Sequence, residues 1–249
     1  MPLPHLSDLS LQVSDPEALA DFYCAFLGMN RVGPADAVTI GYPGENAGLR
    51  FRPGAREKVG AQESSARYWK IAITVPDLDM ACALLRQTGL QVTEPHQFRD
   101  IAYMSHLADP EGHVIELLQH TFHGNPKTAA GNPELPLGGG ARMGLITLRT
   151  SDLEADLAHC RDHLGMRYLS RQDVPDLNFC LHFLAFTNDT PPVADLDAVE
   201  NRQWLWQRPY TMLEFQELKS DVQVEQVPTD VAKAVVGIRL ETGHSTPLS

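Results

Sequence analysis

Apolar and polar residues alternate in three short stretches of this chain, and each stretch ends on an aspartate that opens an amphipathic segment. They read LQVSD (11–15) before FYCAFLGM, ITVPD (73–77) before LLRQTGL, and LRTSD (148–152) before HCRDHLGM. A period of two predicts a strand, and the helical spacing behind it predicts a helix. Gly28, Gly89 and Gly165 follow their aspartates by 12 or 13 residues, and the aspartates stand 62 and 75 residues apart. Such self-similarity marks a copied supersecondary unit.

The second copy is the clearest. Residues 69–75 alternate, residues 78–88 carry Leu78, Ala81, Cys82 and Leu85 at helical spacing, and Gly89 ends the helix. Residues 91–94, 102–107 and 114–119 supply further strands, with DPEG (109–112) turning between the last two. The unit is therefore βαβββ and the class α+β. In the third copy, 179–186 and 211–216 read as later strands around a Pro-rich excursion at 188–208, and the first copy is the shortest, ending near 49–52. Gly/Pro-rich runs at 53–66 and 124–140 separate the copies, the second being the stronger boundary. Near the end of the sequence, VVGIRLE (235–241) reads as one opening strand, with too few residues behind it for a fourth complete unit.

A hydrophobic content of 43% suffices for a packed core, and 20 Lys and Arg against 32 Asp and Glu give a net charge of −12. No basic run exists to grip nucleic acid or an anionic membrane. Cys24, Cys82, Cys160 and Cys180 share no CxxC spacing, which fits structural thiols in a reduced, cytoplasmic setting. No signal-like start and no run of eighteen apolar residues is present.

DxxxxxxFYxxxLGM behind an opening strand, and DPEGHVIELLQ closing a unit, resemble the vicinal oxygen chelate superfamily, which includes glyoxalase I, extradiol dioxygenases and bleomycin-resistance proteins. The resemblance implies that βαβββ units pair into a cupped mixed sheet around a pocket, with any divalent metal held by the first and last strands of each unit. The third unit, through TLRTSD, LGMRYLSRQDVPDLNFCLHFLAF and TMLEF, is most similar to the first half of glyoxalase I, and the second unit to its other half. That likeness places Glu116 as metal ligand and catalytic base, Glu214 as metal ligand, Arg149 against a substrate carboxylate, and Phe179, Leu181 and Phe183 along an apolar pocket. The opening-strand ligand, seven residues before each aspartate, falls on Asp8, Lys70 and Leu145, of which neither Leu nor a protonated Lys donates a lone pair.

The expected arrangement pairs units one and two over residues 1–123, follows them with a linker at 124–140 and the third unit at 141–220, and leaves a tail at 221–249, with units two and three as the open alternative for the working pair. Asp8, Arg50, Lys70 and Glu116 would then meet at the pocket centre, either as a self-satisfied charge cluster or with Arg50 and Lys70 gripping an anionic small molecule. A displaced site for Zn, Ni, Fe or Mn would use Glu116, Glu214 and His106, and the absence of any metal is an equal expectation. The function expected is a glyoxalase-like lyase or isomerase acting on a small, anionic molecule, with a degenerate or displaced metal site. A metal-free binding protein of the resistance or sequestration type is the alternative, and an extradiol dioxygenase the third. An unpartnered third unit predicts a homodimer. The segment NRQWLWQRPY (201–210) would wall a pocket or bury an interface, its aromatic density favouring interface or core.

Overall fold

The computed structural model describes residues 3–33, 37–44, 47–54, 66–219, 235–241 and 246–248. Unit one comprises β1 (His5–Val13), α1 (Pro16–Leu27), β2 (Asn30–Arg31), β3 (Val38–Gly41) and β4 (Gly48–Pro53). Unit two comprises β5 (Tyr68–Val75), α2 (Leu78–Gln87), β6 (His96–Phe98), β7 (Ala102–Ala108) and β8 (Val114–Gln119). Unit three comprises β9 (Arg142–Thr150), α3 (Leu153–Ala158), β10 (Arg167–Val174), β11 (Phe179–Ala185), α4 (Glu200–Trp206) and β12 (Met212–Leu218). Two later strands, β13 (Val235–Glu241) and β14 (Thr246–Leu248), complete the described elements.

The repeated aspartates and glycines are helix punctuation. Asp15, Asp77 and Asp152 accept hydrogen bonds from the backbone N–H of Ala18, Met80 and Ala155 at 3.0, 3.1 and 3.1 Å. Each thereby satisfies a donor that the first helical turn leaves unpaired, worth about 1 kcal/mol. Gly28, Gly89 and Gly165 have φ of +73°, +89° and +75°, the left-handed geometry in which a side chain is strained.

Strand order shows which units pair. One sheet runs β10-β11-β12-β9-β5-β8-β7-β6, so units two and three join through their opening strands, antiparallel, with Lys70 opposite Thr147 and Ala72 opposite Leu145. The other runs β14-β13-β1-β4-β3-β2, with β1 antiparallel to β13. Units one and two therefore do not form the cup together. Backbone pairing between β5 and β9 runs across the Gly/Pro-rich stretch that looked like a divider. That stretch packs on the helices, with Lys127 Nζ 2.6 Å from Asp77 Oδ1 and Pro136 lying against Gly28. The third unit has its partner within the chain, which removes the basis on which a homodimer was expected. VVGIRLE forms a strand beside β1 as anticipated. The strand expected at 91–94 forms instead at His96–Phe98, and α4 occupies part of the Pro-rich excursion.

Within each unit the first and last strands are parallel neighbours, β1 with β4, β5 with β8 and β9 with β12. The period of two then sorts the residues of β5. Ile71, Ile73 and Val75 join Leu78 and Leu85 of α2 in the larger core. Ala72 instead joins Leu118, Leu145, Phe183 and Met212 inside the cup of the eight-stranded sheet. No helix among the described residues is long and apolar enough to cross a membrane.

Candidate functional site

The cup encloses a cavity of about 370 Å³ whose walls are apolar and whose floor is charged. Phe179, Leu181 and Phe183 alternate along β11 and line one wall. Trp206 of α4 lines the cavity beside Ile101. Its Nε1 donates to the Ile101 carbonyl at 3.0 Å, and its ring meets Phe183 edge-on at 5.6 Å. The aromatic segment therefore walls the pocket as well as filling core. Its signal in the sequence was aromatic density alone; that Asn201, Arg202, Leu205 and Trp206 are buried on a helix is a finding of the structure.

At the floor, four residues from four strands meet. Lys70 Nζ lies 2.5 Å from Glu116 Oε2 and 4.0 Å from Glu214 Oε2, and all three side chains are at most 5% exposed. His106 Nε2 contacts Glu116 Oε2 at 2.9 Å, and Thr147 Oγ1 donates to Glu214 Oε2 at 2.5 Å. The Lys70 ammonium also stands 4.5 Å from the Trp69 ring centroid, within cation–π range. Burial opposes ionisation of Glu116, but Lys70 and His106 outweigh it and hold the carboxyl down at about 2. Burial raises the Glu214 carboxyl; Lys70 pulls it down, and the Glu116 anion pushes it further up.

Lys70, Glu116, Glu214 and His106 are thus brought together at the floor, whereas the other charged candidates are not. Arg50 lies on β4, opposite Ser10 and Thr39 in the other sheet, so it does not face Lys70. Asp8 stands on β1 in that same sheet and accepts from Ser10 Oγ at 3.3 Å. The quartet expected from pairing units one and two does not form. Arg149 is buried near the floor without lining the cavity; its Nε donates to Gln216 Oε1 at 3.2 Å and its guanidinium lies 5.0 Å from the Trp69 ring. Leu145 lines the cavity as an apolar residue. Thr147 was missed because its place opposite Lys70 depends on β5 pairing with β9.

The floor does not fit a divalent metal. Lys70 fills the point on which the two carboxylates converge, and an ion admitted about 4 Å from it would meet repulsion of roughly 8 kcal/mol at an effective dielectric near 20. His106, Glu116 and Glu214 are not gathered as ligands. Among the described residues, the one set of three donors within 4.8 Å of one another is Cys180, His182 and Glu217, on the outer face.

Residues 3–117 match the sequence model of the Glyoxalase/Bleomycin resistance protein/Dioxygenase superfamily. That match spans a little under half of the chain, from β1 to the closing strand β8, and makes this part similar to the superfamily. A lactoylglutathione lyase of Schizosaccharomyces pombe is 25% identical over 146 residues, which is 59% of this chain but 45% of that relative. The chain thus matches less than half the length of this curated relative. Glyoxalase I from Zea mays superposes on 95% of the chain and 74% of its own length with a TM-score of 0.61 at 18% identity. A putative dioxygenase from Bacillus subtilis superposes on 87% of the chain and 64% of its own, with a TM-score of 0.50 at 16% identity. These structural likenesses show a shared fold.

Proposed function

We propose that the eight-stranded cup is a metal-free binding pocket for a small, uncharged, largely apolar or aromatic molecule. The observation that carries this reading is Lys70, whose ammonium stands where a metal would have to bridge Glu116 and Glu214. It supplies the positive charge those carboxylates need, and an ammonium has no lone pair to offer a metal. An anionic ligand is disfavoured for the same reason, because Lys70 faces two carboxylates and Arg50 is on the other sheet. What remains is an apolar enclosure with a few polar groups at one end, the usual anatomy of a small-molecule site. Glu116 and His106 at that end would orient a hydroxyl or amide of the ligand.

A thermal-shift screen of uncharged aromatic compounds against small carboxylates tests the proposal. Aromatic compounds should raise the melting temperature of the wild type and lose that effect in Leu181→Lys, while carboxylates should have no effect in either. The lyase reading would replace it if purified protein held stoichiometric metal that Glu116→Gln and Glu214→Gln both released.

A further inference from the structure

The outer face of the same wall carries a second donor cluster. On β11, Cys180 and His182 alternate with the cavity-lining Leu181 and Phe183, so they point away from the pocket. Across the ladder Cys180 is paired with Glu217 of β12, and the ligand atoms of Cys180, His182 and Glu217 lie within 4.8 Å of one another. Cys180 and His182 are buried, and the Glu217 side chain is 34% exposed, which gives the cluster one open side.

Unlike the floor of the cup, this cluster has no cation of its own among the described residues. Arg171 is held by Asp197 at 2.8 Å and Lys219 by Asp173 at 2.5 Å, so each nearby positive side chain already has a carboxylate. The histidine is also oriented: Nδ1 lies 2.7 Å from the Tyr168 hydroxyl, leaving Nε2, 3.3 Å from Glu217 Oε2, directed into the cluster. An outer-shell partner on one ring nitrogen is what fixes a ligating imidazole.

We infer that Cys180, His182 and Glu217 form a site for a thiolate-accepting divalent cation, zinc above all, on the back of the pocket wall. A cysteine thiolate, an imidazole and a carboxylate are the ligand types of four-coordinate zinc, and the open side provides the fourth position for water. Loading displaces one proton, from the Cys180 thiol to solvent, and the thiolate with Glu217 then balances the two positive charges of the ion. Burial keeps that thiol protonated in the empty site, pushing it up to about 11. Tyr168 acts as a positioning residue.

Cobalt(II) titrated into the full chain is the test. A thiolate-to-cobalt charge-transfer absorption should saturate at one ion per chain and be bleached by zinc. Cys180→Ser should abolish it, while Cys82→Ser, a buried thiol elsewhere in the core, should leave it intact. Glu217→Gln, at a partly exposed position the fold tolerates, should retain the absorption with affinity at least tenfold weaker, and Tyr168→Phe should weaken binding by about tenfold. No absorption in the wild type, the same absorption in Cys180→Ser, or unchanged affinity in Glu217→Gln would overturn the site.

Discussion

The inner and outer faces of one sheet hold two clusters built from similar donors, and they differ in a single respect. Inside the cup, Glu116, Glu214 and His106 surround Lys70, which supplies the cation from the chain itself. Outside, Cys180, His182 and Glu217 converge with every neighbouring cation already paired to another carboxylate. Donors alone therefore do not define a metal site. Whether a covalently tethered charge fills the point of convergence decides it, because a buried carboxylate must have a counter-charge from somewhere.

Replacing Lys70 is the strongest way to break this contrast. Lys70→Met should lower stability by about 3–5 kcal/mol at neutral pH, since it strands two buried carboxylates. Divalent metal, ineffective on the wild-type floor, should restore part of the loss. Urea titrations with and without nickel or zinc read both effects, and a variant as stable as wild type would show that the ammonium is not what neutralises the floor.

Substitution along β11 separates its two faces. Phe183→Ala should cost about 3–4 kcal/mol, because the ring is fully buried against Trp206, and it should enlarge the pocket and weaken aromatic ligands. His182→Gln should instead reduce cobalt binding and leave aromatic ligands unaffected. Parallel thermal-shift and cobalt titrations on both variants would expose any crossover between the faces.

Acid should act on the floor through Glu116. Its carboxyl is held at about 2 in the folded state against an ordinary 4.5, so it contributes stability above pH 4.5 that disappears as pH falls toward 2, on the order of 3 kcal/mol. Glu214 is shifted upward, so its protonation favours the folded state as pH falls and opposes that loss. Glu116→Gln should flatten the acid limb of stability, whereas Glu214→Gln should leave it or steepen it. Denaturant midpoints measured from neutrality downward distinguish the two.

The smallest expected effect lies at the helix starts, which serve both sheets alike. Asp15→Ala and Asp152→Ala should each cost about 1 kcal/mol through the lost cap and change neither ligand nor metal response. A larger change in either response would mean that the caps do more than start helices.

Much of this architecture was legible in the order of residues. Asp15, Asp77 and Asp152 with Gly28, Gly89 and Gly165 set the helix limits through local hydrogen bonding and backbone geometry. The same repeat singled out Lys70 by counting back from its aspartate, whereas Glu116 and Glu214 were pointed to by the resemblance to glyoxalase I. Other residues stayed hidden because their meaning is relational. Thr147 matters because it stands opposite Lys70, and Trp206 because a helix from the Pro-rich excursion folds back over the cup. Cys180 and His182 read as ordinary strand residues until Glu217 is placed beside them by the β11–β12 ladder.

The sequence by itself determined the βαβββ repeat, the alternation that sends Lys70, Glu116 and Glu214 to one face, and the departure of Lys70 and Leu145 from a metal-ligand pattern. The repeat and the alternation follow from short-range periodicity, which each segment carries alone, while the metal-ligand pattern and the inward sense of that face are what the resemblance implies. Tertiary structure decided which units join. The pairing of β5 with β9 turned an expected quartet with Asp8 and Arg50 into a floor where one ammonium serves two carboxylates. Sheet pairing is made by backbone groups that are nearly the same in every strand, so the choice of partner rests on packing across the whole molecule.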